Sequence, residues 1–197
     1  GMSFREYLSF EGVLSYNPVK FEDLIEKHVA IATDITSKIK VIPYFKDYCK
    51  YGYYPFYKED IDGFNTRLVE VCRQIIENDI PAVEDVAYAT VLKLKKLLMI
   101  IAQQVPFIPK MEDLYAQLET SREQGLRLLE LLERGALLGL LKSTVKKLKQ
   151  MSSPQKMFLD NTNLVYALHD NPEIGTIRET FFFNQVSRIL PVNHTKI

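Results

Sequence analysis

The chain has 197 residues, 47% of them apolar and 25% charged, which is ordinary for a globular protein of one large domain or two small ones and excludes wholesale disorder. Lys+Arg and Asp+Glu number 25 each, so no whole-molecule basic field points to nucleic acid, and any such case rests on local clusters. Two distant cysteines, Cys49 and Cys72, argue against a disulfide scaffold or a cysteine zinc site and point to reduced thiols in a cytoplasmic protein.

Gly1 in front of Met2 reads as a cleavage scar, and the expectation is a piece of a longer protein. The first residues have neither the basic nor the apolar region of a secretory leader. The longest apolar stretch, Leu97 to Ala102, is too short to span a membrane.

Asn17-Pro18 is a turn signal. After it, Phe21, Leu24, Ile25, Val29, Ala32, Ile35 and Ile39 recur at three- and four-residue steps and predict an amphipathic helix over residues 21–39. A tyrosine-rich run follows over residues 42–57, in which Pro43 can open a short helix and Gly52 can close it. Its six tyrosines could stack bases, but tyrosines beside Phe and Pro more commonly pack an irregular segment onto a helical core. A helix is predicted over residues 61–78, ended by Asp79-Ile80-Pro81, because the residue before proline disfavours the α region. Another is predicted over residues 83–104, with Lys93, Lys95 and Lys96 as a solvated face.

The texture changes after Pro106 and Pro109. Residues 111–118 read as a short helix, Glu119-Thr120-Ser121 as a tight connection, and residues 121–134 as a longer helix that Thr120 or Ser121 can cap and Gly135 stops. Residues 136–142 read as an apolar strand, 143–150 as a polar hairpin arm, 151–154 as a turn and 155–159 as the returning strand. Two more helices are expected, over 163–168 and 174–190. The fold class is therefore mainly α, with a helical bundle followed by a winged helix-turn-helix whose wing is a small β-hairpin.

In that layout the second helix enters the major groove, so Ser121, Arg122, Gln124 and Arg127 are the groove-facing candidates. The wing candidates are Lys142, Lys146, Lys147, Lys149 and Lys156, five lysines with no acid between residues 136 and 158. Against DNA, residues 110–134 carry four basic and six acidic side chains, and a duplex would repel several of those carboxylates. A solvated hairpin face accounts equally for the lysines.

Catalytic patterns are missing from the sequence. No glycine is followed by lysine, so there is no phosphate-cradling P-loop. There is no Gly-x-Ser-x-Gly elbow. His28, His169 and His194 stand in no metal-ligand spacing, and Glu11, Glu59 and Asp60 read as solvated charge rather than a carboxylate pair. No catalytic or metal residue is therefore assigned, and no cofactor.

Several segments resemble, in order, the back half of P-loop ATPases of the AAA+ type that end in a restriction-endonuclease-like domain of unknown function. They are Ser3-Phe4-Arg5-Glu6-Tyr7-Leu8, the run from Tyr51 to Tyr57, Asp79-Ile80-Pro81, the run from Pro154 to Leu164, and the run from Ile174 to Phe182. The resemblance covers nearly the whole chain. It implies a helical lid-like region over 1–85, the winged helix over 86–160, and the helical start of a nuclease-like domain over 161–197. ATP and magnesium are expected only for a parent holding the ATPase core, whose P-loop and acidic motif would precede Ser3. The nuclease Asp and Glu-x-Lys would follow Ile197, so only Glu179 matches a position of that pattern. Tyr51 stands where the family has the first glycine of its Gly-Gly-Tyr-Pro element.

The expected function is a non-catalytic regulatory segment of an ATPase, with partners in the missing core and possible double-stranded DNA at the winged helix. The alternatives are a stand-alone DNA-binding regulator and a protein-protein interaction module. No membrane contact is expected, and the sequence leaves the oligomeric state open.

Overall fold

A computed structural model describes residues 1–108, 110–142 and 153–188. They are mainly helical, with one small antiparallel sheet. Among them no helix is long and apolar enough to cross a membrane. The chain divides into two compact units, residues 1–64 and residues 65–197.

The first unit is built on aromatic packing. Helix α1 (Phe4–Phe10) starts with a capping box, in which the Ser3 hydroxyl accepts from the Glu6 amide and the Glu6 carboxylate accepts from the Ser3 amide. This helix was not expected, although Ser3-x-x-Glu6 is the signature of a helix start. Helix α3 (Val41–Asp47) runs on into a π-helical turn, Tyr48–Gly52, and a short 3-10 turn, Pro55–Lys58. Phe4 contacts Phe45 and Tyr48 at 5.6 and 5.4 Å between ring centres, and Tyr7 contacts Tyr48 at 5.5 Å. Tyr48, Tyr53 and Tyr57 are buried, so much of the tyrosine run packs inward and does not form an open stacking platform. Gly52 is required by this close packing, since a Cβ there would lie 2.6 Å from the Tyr7 ring and 2.8 Å from the Tyr48 ring. The Tyr48 hydroxyl donates to the Met2 carbonyl at 2.8 Å, which ties down the start of the chain.

Burial, reinforced by the Glu11 and Asp47 carboxylates, pushes the Tyr7 phenol up to about 12. A phenol whose pKa is raised on folding contributes stability that is intact below its ordinary value of 10 and lost as pH climbs through about 12. Alkaline titration followed by circular dichroism should therefore show loss of structure in that window, and Tyr7→Phe should abolish this part of the loss. An unchanged alkaline profile in Tyr7→Phe would count against a buried neutral phenol.

Helix α2 (Phe21–Lys38) forms where the periodicity predicts it, yet none of its residues is buried. Its apolar stripe stays uncovered, with Phe21 71%, Ile25 61% and Val29 67% exposed.

In the second unit, α4 (Phe64–Gln74, beginning one residue earlier) passes through a π-helical turn, Ile75–Asp79, directly into α5 (Ile80–Val83). The helical path thus continues past Ile80-Pro81, where a stop was expected. Pro81 sits in the first turn of α5, where a missing N–H is tolerated, and the wider turn before it frees the carbonyls that proline would crowd. Glu84 caps α5 in an extended conformation, so the next helix, α6 (Tyr88–Ala102), begins later than the expected residue 83.

Val91, Leu94, Leu97, Leu98 and Ile101 of α6 are all buried, and the helix packs against α8, α9 and the sheet. Its lysines stay at the surface, as expected, and also make specific bonds. Lys93 donates to the Glu119 carbonyl at 2.7 Å and Lys96 to the Gln117 carbonyl at 2.6 Å, satisfying the open end of helix α7 (Met111–Gln117), while Lys95 pairs with Glu77. That hydrogen bond, helped by Arg73, holds the Glu77 carboxyl below the usual carboxylate range.

Helix α8 (Arg122–Arg134) is followed by strand β1 (Leu138–Leu141), antiparallel to β2 (Lys156–Leu159) with Leu138 opposite Leu159 and Leu141 opposite Lys156. Phe107 bridges Met157 on the far edge of β2. Helices α9 (Thr162–Leu168) and α10 (Ile174–Ser187) close the unit. Asn161 caps α9 by accepting from the Leu164 amide at 3.1 Å, Asn184 donates to the Asp160 carbonyl at 2.9 Å, and Phe158 stacks on Phe183 at 4.3 Å. The hairpin arm expected over 143–150, the first half of the turn after it, and the end of the last helix lie outside the described residues.

Candidate functional site

The candidate site lies around α7 and α8. Glu119 leaves α7 in a left-handed conformation at φ 48, and Ser121 caps α8 by accepting from the Gln124 amide at 3.3 Å. Gly125 brings the two helices together, since a Cβ at that position would lie 2.4 Å from the Tyr115 ring. Burial pushes the Tyr115 phenol up from its ordinary value. Leu128, Leu129, Leu131 and Leu132 fix the inner face of α8.

The outer face borders a groove of about 1010 Å³ between α8, residues 85–93, Leu140, Lys142 and Pro154. Ser121, Gln124, Arg127 and Lys142 come together on its walls, with Asp85, Glu123 and Glu130 among them. Arg122 is exposed on the first turn of α8 and is not among the lining residues.

The polar groups that sequence reasoning assigned to base edges and phosphates are engaged within the chain. The Ser121 hydroxyl serves as helix cap, and the Gln124 carbonyl accepts from the Thr120 hydroxyl at 3.0 Å. Arg127 and Arg134, two helical turns apart, donate to the two oxygens of the Glu84 carboxylate. Arg127 also lies 3.5 Å from Glu130. Lys142 donates to Glu133 at 2.5 Å. Lys156 pairs with Glu179. Lys146, Lys147 and Lys149 lie outside the described residues.

Glu84 is the organising residue that the sequence reading missed. It stands 43 and 50 positions from its two arginines, and no local spacing signals such a pair. Both cysteines are buried, and burial pushes the Cys72 thiol up to about 11, away from thiolate chemistry.

Neither a family model, nor a curated protein, nor a solved structure matches this chain.

Proposed function

We propose that the chain is a non-catalytic binding segment of a P-loop ATPase, and that its α7-turn-α8 region with the β1–β2 hairpin is a winged helix-turn-helix whose α8 face meets a protein rather than a duplex. The observation that carries this reading is the convergence of Arg127 and Arg134 on Glu84. Each arginine gives one N–H to Glu84 and keeps others open, so a phosphate brought to them would sit beside a fixed carboxylate whose side chain is 20% exposed and which repels it. The six acids against four bases over residues 110–134 act in the same direction.

A second reading, duplex contact through the wing alone, is favoured by the five lysines without an acid between residues 136 and 158. Fluorescence anisotropy with a mixed-sequence duplex separates the two, with salt raised from about 20 to about 200 mM. The expected result is no binding by the wild-type chain, and gain of weak, salt-sensitive binding in Glu84→Gln as its arginines are released. Salt-dependent binding by the wild type that disappears in Lys146→Glu/Lys147→Glu would replace the protein reading with the nucleic-acid one. The ATPase part has its own check. The coding sequence about 200 residues upstream should hold Gly-x-x-x-x-Gly-Lys-[Ser/Thr], by the usual size of such a core, and a parent gene without it would refute that part.

A further inference from the structure

Helix α2 is an anomaly in physical terms. An isolated helix of this length is marginal in water, and most helical stability in proteins comes from burying an apolar face. Here 18 residues form a regular helix with nothing buried. Two intrahelical pairs, Lys27 with Asp23 and Lys38 with Asp34, both at 2.7 Å, support it from the polar side. Exposed pairs of this kind contribute only about 0.3–0.5 kcal/mol each, too little to replace a packed face.

The uncovered stripe has an internal order. Phe21, Ile25, His28, Ala32 and the half-buried Ile35 follow one another at steps of four, three, four and three. That alternation is the 3.5-residue repeat of a helix that packs along its length against another helix. Leu24 and Val29 widen the seam on either side and are 47% and 67% exposed.

We infer that the partner of α2 is the α2 of a second copy of this chain, packed antiparallel about a two-fold axis near residue 30. Three features select this occupant. First, the antiparallel register places Ile25 against Ile35 and His28 against Ala32, with Phe21 reaching the end of the partner helix. The one bulky ring in the middle of the seam meets its smallest residue, and the symmetry repeats each contact. A parallel pair would set His28 on His28 and Ala32 on Ala32, crowding one layer and leaving the next empty.

Second, the ends of the helix are oppositely charged. Glu22, Asp23 and Glu26 outweigh Lys20 and Lys27 at its start, while Lys38 and Lys40 outweigh Asp34 at its far end, a net charge of −1 against +1. Antiparallel packing lays each acidic end beside the partner's basic end, whereas a parallel pair would lay like on like. The helix dipoles are opposed in the same arrangement.

Third, residues 20–40 carry four acids and four lysines, without the basic excess that draws an amphipathic helix to an anionic membrane surface. This inference does not depend on what α8 binds.

Sedimentation equilibrium on the whole chain provides the test, with far-UV circular dichroism confirming that each variant stays helical. The wild type should sediment at twice the mass of one chain. Ile25→Asp replaces a residue that is 61% exposed, so it should leave the single chain folded and yield a monomer. Reversing the acidic end with Glu22→Lys/Asp23→Lys should weaken association about tenfold, since symmetry counts each lost contact twice. Adding Lys38→Glu/Lys40→Glu to that variant should restore it. A wild-type chain that remains monomeric at about 100 µM would overturn the inference and mean that another partner covers α2. A dimer indifferent to Ile25→Asp would place the interface elsewhere, and failure of the combined charge reversal to restore association would rule out the antiparallel pairing.

Discussion

Leu129→Ala is expected to lower the unfolding free energy of the second unit by about 3 kcal/mol, within the usual range for truncating a leucine in a closed core. Leu129 is 1% exposed on the inner face of α8, among residues that pack α8 against α6 and β1. Its neighbours on the helix, Leu128, Leu131 and Leu132, are themselves almost fully buried and cannot easily move to fill the space. Leu126, three residues earlier, lines the groove and is only partly buried. Its truncation should therefore cost only about 1 kcal/mol, the transfer term for a side chain that keeps part of its contact with water. Urea unfolding of both variants at an unchanged m value is the measurement. Equal losses at the two positions would mean that α8 docks through a different face.

Gly125→Ala is expected to destabilise by about 1–3 kcal/mol, although alanine is the better helix former by about 1 kcal/mol. The sign is decided by space. The new methyl would lie 2.4 Å from two carbons of the Tyr115 ring, and Tyr115 is buried against α8. Either the ring moves or α7 lifts away, and both alter the angle between the helices that shape the candidate interface. Thermal unfolding of Gly125→Ala beside Gly125→Ala/Tyr115→Leu tests the cause directly. The smaller, flexible leucine should return much of the loss. If Gly125→Ala proves stabilising, the close approach of α7 and α8 is not what fixes this turn.

The helices with clear periodicity were legible in advance because each carries its own signal. Residues 21–39 alternate at helical steps, and a helix follows from that alone. Ser121 is followed by an amphipathic stretch, and it caps α8 where a serine before such a stretch should. The strand pair at 138–141 and 156–159 was visible as two apolar runs separated by a polar segment.

The misread places share a different cause. Lys93 and Lys96 are at the surface, as a lysine on the polar side of a helix usually is, but their bonding partners had no local signal. The carbonyls they cap belong to residues 26 and 21 positions away, and only folding brings those within reach. The stop at Asp79-Ile80-Pro81 followed from a local steric rule, which the π-helical turn relaxes. The candidate site shows the same limit most clearly. Residue types near the start of a helix identified Ser121, Gln124 and Arg127 as available for recognition, but availability depends on what else the fold places beside them.

By itself the sequence determined that the protein is mainly helical, where its periodic helices and its small sheet form, and which faces of α6 and α8 turn inward, because these depend on periodicity and on capping between near neighbours. Only the tertiary structure decided that α2 remains uncovered, which tyrosines of the run are buried, and that Arg127 and Arg134 meet at Glu84. Those outcomes depend on contacts between residues tens of positions apart, and the energy of such a contact is written in no local stretch of the chain.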